Sequence, residues 1–149
     1  MLDTLSTNRF EVLAPISDDY ASLPVCEAVN WSECGPDVGE WCLIAFRSVL
    51  RETADLDRLW EQDELAFEEA AGLPGFVHYF RGLPNQLGEC LSFCLWNSWD
   101  QARASARGPA HARAMELIDD TFESFQLEFL TVTKTAPTVS FEFSAATRK

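Results

Sequence analysis

The chain has 149 residues, enough for one domain with a single substantial core. At 47% hydrophobic and 12% aromatic, its composition is that of a folded protein and excludes a disordered one. A net charge of −13, with no basic stripe to offset it, argues against nucleic-acid binding and against anionic membrane surfaces.

Residues 1–38 differ from the rest. They hold Pro15, Pro24, Gly35 and Pro36, scattered acids, and one short strand-like run, Phe10–Leu13. They read as an extended N-terminal arm packed on the body, with Val25, Val29 and Trp31 as apolar anchors. The body, residues 39–149, opens on Trp41–Ser48, a continuous apolar run that predicts a first strand. Thr53 or Asp55 can cap a helix running to about Ala71, with Gly72 as its stop. The apolar stripe of that helix is Leu56, Leu59, Trp60, Phe67 and Ala70, and Asp63 interrupts it. Phe76–Gly82 follows as a second strand. Simple alternation puts His78 on one face with Phe76 and Phe80, and Tyr79 on the other with Val77 and Arg81. Only one of these rows can face the helices. Leu83–Gly88 carries turn residues and reads as a hairpin. Glu89–Trp96, dense in Leu, Phe, Trp and Cys, reads as a strand buried on both faces. Ser98 with Gln101 forms a capping box that starts a short helix. Gly108–Pro109 ends it and opens a longer one, with a stripe of His111, Ala114, Met115, Ile118, Phe122 and Phe125. Gln126–Thr135 is a fourth strand, and Thr138–Phe143 alternates as an edge strand would.

The order β-α-β-β-α-β predicts an α+β, ferredoxin-like fold: an antiparallel sheet with both helices on one face. The strands are apolar on both faces, so the second face also needs cover. A second copy of the sheet is the simplest cover, which predicts a homodimer whose sheets form a barrel-like sandwich.

Together with this order, the strand end Leu95-Trp96-Asn97-Ser98 and the later Pro109-Ala110-His111 resemble the dimeric α+β barrel superfamily, and within it the antibiotic biosynthesis monooxygenase-like proteins. The resemblance covers about residues 40–135. It implies a substrate held between the helices and the sheet of each protomer. The superfamily hosts cofactor-free oxygenases of electron-rich polyketides, haem-degrading oxygenases, polyketide cyclases and lactone isomerases. The haem-degrading branch has a Trp and a ligating His at positions that fall here on Ser105 and Met115, which argues against haem. The anthrone-oxidising branch uses Asn, Trp, Tyr and Arg, and this chain offers Asn97, Trp60, Tyr79 and Arg81 as the same residue types.

Three side chains are candidates for catalysis. Asp63, on an apolar helix stripe, must be paired, hydrogen-bonded or protonated if it points inward. The alternative is that it reaches solvent or Arg58. His111 sits in a helix's first turn, where a neutral ring is favoured and can act as a base; the alternative is a packed, bonded histidine. An Asp63–His111 pair in one shared cavity would satisfy both groups. His78 is the third candidate. Trp60, Phe67, Tyr79, Arg81, Trp96, Trp99 and Met115 are the expected substrate contacts, the tryptophans giving flat walls that suit a planar ligand.

Glycine-rich phosphate motifs and nucleophile motifs are absent, so no dissociable organic cofactor is expected. Five cysteines, odd in number, do not form a disulfide framework. Cys90 and Cys94 read as small buried hydrophobes rather than metal ligands, and no metal is expected. Without a signal segment, or an apolar run near the roughly 20 residues of a membrane span, a cytoplasmic protein is expected. The function these features favour is a small cofactor-independent enzyme for an apolar aromatic or polyketide-like metabolite, acting by oxygenation or by proton-transfer-driven isomerisation or cyclisation. The alternative is a non-catalytic small-molecule-binding or interaction protein of the same fold.

Overall fold

Strand β1 (Gly39–Leu50) is the spine of the computed structural model, which describes residues 9–35 and 37–146. The ends of the expected arm and body, residues 1–8, 36 and 147–149, lie outside the described residues. On one side β1 pairs with β3 (Glu89–Trp96) and on the other with β4 (Phe122–Lys134). Strand β2 (Phe76–Phe80) adds to β3, and β5 (Glu142–Ala145) adds to β4. The order β2-β3-β1-β4-β5 is antiparallel throughout. Its first four strands have the ferredoxin-like α+β arrangement, with β5 as an added edge.

The helices start where the sequence caps them. Helix α2 (Leu56–Ala71) begins at Asp55, whose carboxylate accepts from the Arg58 amide at 3.1 Å, and Gly72 closes it. Helix α3 (Trp99–Ser105) begins at Ser98, whose hydroxyl oxygen accepts from the Gln101 amide. Pro109 sits in the first turn of α4 (Pro109–Glu116), and α5 (Ile118–Thr121) is a separate single turn. Among the described residues no helix is long and apolar enough to cross a membrane.

Two β-bulges change the expected boundaries. On β4, Ser124 pairs with Val49 and Phe122 with Leu50, so Glu123 is an extra residue. The bulge brings Phe122 and Phe125 to one face at a spacing of three. That spacing imitates a helix, which is why the sequence extends the second long helix over residues that belong to a strand. On β2, Phe76 pairs with Trp96 and His78 with Leu95, so Val77 is extra. The strand-like run Phe10–Leu13 is also corrected: Arg9–Val12 forms a 3-10 turn.

The sheet face away from the long helices is covered by the chain itself. Residues 9–35 fold into three 3-10 turns and a short helix, α1 (Val25–Ala28). Phe10, Val25, Val29 and Trp31 pack there against Leu43, Ala45, Leu91, Phe93, Leu95 and Val132. Trp31 stacks on Phe93 with centroids 5.4 Å apart and meets the edge of Phe143 at 5.0 Å. Its indole N–H donates to the Val25 carbonyl at 2.9 Å. Polar ties fix the segment: Arg47 donates to the Ala21 and Leu23 carbonyls, Lys134 donates to the Gly35 carbonyl, and the Tyr20 hydroxyl accepts from the Leu83 amide. The expectation that a second copy of the sheet supplies this cover is thereby corrected. The anchors are within the chain, and they bury the apolar face that a sheet-on-sheet dimer would have used.

Trp31→Ala is expected to destabilise the protein by about 3–5 kcal/mol, the usual loss for a large aromatic truncated in a packed core. Cys26→Ser, at an exposed site on the same segment, is expected to change stability little. Urea unfolding of the two variants against the parent checks both.

Candidate functional site

The opposite sheet face does not close completely. Between it and helices α2, α4 and α5 lies a cavity of about 620 Å³. Its floor includes Ile44, Phe46, Cys94, Trp96, Phe125 and Phe129, and its roof includes Leu59, Ala66, Phe67, Ala70, Ala114 and Met115. No residue of α2 is fully buried, because the helix roofs a cavity instead of a packed core. Its size and apolar lining, with a few polar groups, suit a small organic ligand. A larger cleft, about 780 Å³, opens between the arm and the sheet around Arg47. There Arg47 is already bonded to Glu128 and to the Ala21 and Leu23 carbonyls, so the cleft presents a clamped polar seam.

Asp63 points into the helix–sheet space and is fully engaged. One carboxylate oxygen accepts from the Tyr79 hydroxyl at 2.8 Å, and the other pairs with the Arg81 guanidinium. Arg81 also bonds Glu64 and lies over the Tyr79 ring. Burial raises the Tyr79 pKa, and the Asp63 charge and hydrogen bond raise it further, so Tyr79 is a protonated donor. The expected partner of Asp63 is therefore corrected. Asp63 and His111 both line the cavity, but Asp63 binds Tyr79 and Arg81 and forms no dyad with the imidazole.

The carboxylate next to His111 is Glu69. It reaches across from α2 and accepts from the Ala110 amide at 2.8 Å and the His111 amide at 3.3 Å. Pro109 and Gly108 offer no capping side chain, so Glu69 satisfies the first amides of α4. Gly108 is required for this approach, since a Cβ there would lie 1.8 Å from a Glu69 carboxylate oxygen. The His111 ring reaches the cavity and has no hydrogen-bond partner among the described residues. Burial lowers its pKa below 6.5, and the Glu69 charge offsets part of that. The ring is neutral at physiological pH and free to accept a proton.

The bulge at Val77 decides the role of β2. Phe76 and Tyr79 both line the cavity, whereas Val77 and His78 face the arm. His78 lies 6.4 Å from Phe10, centroid to centroid, on the wrong side of the sheet for the cavity. Its expected catalytic place is corrected, and so is the alternation that grouped it with Phe76. Asn97 is exposed, and neither Asn97 nor Arg81 lines the cavity, so Arg81 is corrected as a substrate contact and the four residue types shared with anthrone-oxidising enzymes do not meet in one site.

Trp60, Phe67, Trp96, Trp99 and Met115 line the cavity as expected walls. Trp96 meets the edge of Phe76 at 5.5 Å, and Phe67 packs on both Phe76 and Tyr79. Burial pushes the Cys90 and Cys94 thiols up to about 11, which keeps them protonated and poor nucleophiles. Among the described residues no three His, Cys, Asp or Glu side chains gather as a metal site. Two residues that sequence reasoning passed over matter here. Gln62 lies in the Leu59–Ala66 row, a position the helical spacing could have revealed, and its amide oxygen is buried without a hydrogen-bond partner among the described residues. Glu69 gave no signal, because its partners are backbone amides distant in sequence.

A family model described as PB2B2.08-like matches residues 3–145. Among curated proteins, none matches the chain. Solved structures share the fold. SnoaB, a cofactor-independent oxygenase from Streptomyces nogalater, superposes with a TM-score of 0.51 at 14% identity, covering 64% of this chain and 95% of its own. A putative antibiotic biosynthesis monooxygenase from Nitrosomonas europaea gives 0.52 at 13%, covering 69% and 97%. A dimeric ferredoxin-like protein of unknown function from Thermobifida fusca gives 0.50 at 16%, covering 61% and 90%. The chain thus has the fold of the antibiotic biosynthesis monooxygenase-like α+β barrel proteins, and identities this low speak to fold alone.

Glu69→Gln is expected to lower the His111 pKa further, because it removes the one nearby charge that favours the imidazolium. Glu69→Ala should add a loss of about 1 kcal/mol of stability from the uncapped helix. Titration of the His111 ring by NMR, with denaturation of the same variants, checks both.

Proposed function

The chain belongs to the PB2B2.08-like family, and we propose that it is a small enzyme for a planar, apolar aromatic or polyketide-like metabolite, acting through proton removal next to a carbonyl. The observation that carries this reading is the His111 ring: neutral, unpartnered and at the wall of an apolar cavity. A base in such a place needs no further activation, and burial also strengthens its interaction with charge that develops on the ligand. The likeness of the fold to a cofactor-independent oxygenase supports the same reading.

In the proposed reaction His111 takes the proton, and the flat walls of Trp60, Trp96 and Trp99 hold the ring system. Phe67, Tyr79 and Met115 complete the contact surface. Asp63 and Arg81 act by fixing Tyr79, not by touching the reacting atoms. The resulting enolate is reactive toward oxygen, toward reprotonation at another carbon, and toward an internal electrophile. Oxygenation, isomerisation and cyclisation therefore share this first step, and no dissociable organic cofactor is invoked. We take residues 1–38 as the cover and 39–149 as the catalytic body. Any homodimer then joins through a surface other than the arm-covered sheet face, leaving one whole cavity in each copy.

Anthrone, whose C10 methylene is acidified by the ring carbonyl conjugated to it through the flanking rings, is a vinylogous form of this carbon acid and a suitable probe. The protein is expected to speed deuterium exchange at that carbon, and His111→Ala to lose about 10²–10⁴-fold of the acceleration. The rate should fall as pH drops through the depressed His111 pKa, so the acid limb lies below 6.5. Tight binding of anthrone without exchange would favour a binding protein instead.

A further inference from the structure

We propose that the cavity takes its aromatic ligand as an anion, and that Arg103 meets the ligand's carboxylate at the rim. The inference rests on reading the cavity as a ligand site, and goes beyond it by naming the charge the ligand carries and the residue that selects it. The chain has 24 acidic residues against 11 basic ones. Residues 101–115 reverse that balance: they hold Arg103, Arg107 and Arg113 and no acid. This run crosses the turn from α3 to α4 and includes His111, so the basic stretch carries the proposed base.

Of these three arginines, Arg103 lines the cavity. Trp99, Ala102, Arg103 and Ala106 all line it, at the i, i+3, i+4, i+7 spacing of one helical face. The Arg103 side chain is 60% exposed, which puts it at the rim. Burial pushes the Cys42 thiol of β1 up to about 11, the Glu40 charge adds to this, and the Arg103 charge opposes it. The guanidinium is therefore within electrostatic reach of the sheet. Among the described residues, Asp63 and Arg103 are the fully charged side chains of the lining. Asp63 is already held by Tyr79 and Arg81. Arg103 pairs with Asp100 on the same helix, and the Asp100 side chain is 93% exposed. An exposed pair of this kind is worth little, so another carboxylate can replace Asp100. Arg47 and Arg81 are tied more firmly, the first to Glu128 and two carbonyls, the second to two carboxylates.

A planar apolar body with a terminal carboxylate fits this layout. The ring system lies among Trp96, Trp99 and Phe129, and the carboxylate stays at the rim, where it keeps part of its water. A carboxylate drawn deep into the apolar space would lose that water without enough in return. A guanidinium presents parallel N–H donors that match the two oxygens of a carboxylate, a pairing that a neutral amide does not offer. An ammonium would be repelled by Arg103 and would find Asp63 occupied. The basic run also draws an anion to this mouth, on a molecule whose overall charge would repel it elsewhere.

The test uses the full chain and three probes of similar shape: naphthoate, naphthamide and naphthalene. Binding is read by calorimetric titration at neutral pH, where naphthoate is ionised. The parent protein is expected to bind naphthoate about fivefold more tightly than naphthamide, the effect of one ion pair at the rim. Salt at about 1 M should remove most of that difference. Arg103→Gln should abolish the preference and leave naphthamide and naphthalene binding as before. Arg58→Gln removes an exposed cation of α2 that does not line the cavity, and should leave the preference intact. The inference is overturned if the parent binds naphthoate no more tightly than naphthamide, if the preference survives in Arg103→Gln, or if Arg58→Gln removes it as well. In each of these cases naphthalene binding leaves the aromatic site itself standing. If none of the three binds the parent, the aromatic-ligand reading falls and this inference falls with it.

Discussion

A sheet that is apolar on both faces must be covered twice, and the rest of this molecule follows from that requirement. Leu43, Ala45, Leu91, Phe93 and Leu95 are fully buried on one side of the two central strands. Cys42, Ile44, Cys94 and Trp96 form the other side. The two covers differ in kind. The N-terminal segment lays large side chains directly on its face, with Phe10 and Trp31 packed among sheet aromatics. The helices meet their face with a mixed row, in which Ala66 and Ala70 from α2 and Ala114 from α4 stand among Leu59, Phe67 and Met115. Where the alanines stand, the space between helix axis and sheet is not filled, so packing is completed on one side and a cavity persists on the other.

The same asymmetry separates stability from function. The arm side combines most of the fully buried side chains with polar clamps from Arg47, Lys134 and Tyr20. It is the part of the structure where a lost contact is felt in the folding equilibrium. The helix side carries the polar groups that face open space. Proteins tolerate such groups where a ligand can complete them, and the rigid, doubly covered sheet is what holds them in place.

Much of this was legible in the sequence, and the failures have physical causes. Element order, the Asp55 and Ser98 caps, the Pro109 start and the Gly72 stop were each set by local chemistry and could be read locally. The bulges at Val77 and Glu123 could not, because one extra residue in a strand breaks the alternation on which face assignment depends. They moved His78 away from the cavity and made Phe122 and Phe125 look helical. The cover of the second face was also misread. The arm's anchors were visible, but the sequence does not say that Phe10, Val25, Val29 and Trp31 converge on the sheet, since these contacts are long-range. Gln62 was passed over because glutamine is common on helices, and only burial of its oxygen sets it apart.

Asp63 and His111 both line the cavity, and their pairing assigns their work. Asp63, a carboxylate on an apolar helix face, needs partners to be tolerated there. The bulge at Val77 turns Tyr79 to the helix side, and Arg81 follows just past the strand end, so β2 and the residue after it bring a phenol and a guanidinium to the same carboxylate. With one oxygen held by a hydroxyl and the other by a cation, the carboxylate ties β2 to α2 and fixes Tyr79. His111 is treated in the opposite way. Glu69 grips its backbone amide, and that of Ala110, while leaving the imidazole unbonded. The helix is fixed, while the ring has no hydrogen-bond partner among the described residues. Burial favours the neutral ring over its cation, so the side chain meets the cavity as an acceptor of protons. One acid is thus satisfied and serves the fold, while one base is left unsatisfied at the cavity wall, and the difference lies in whether the chain bonds the side chain or only the backbone that carries it.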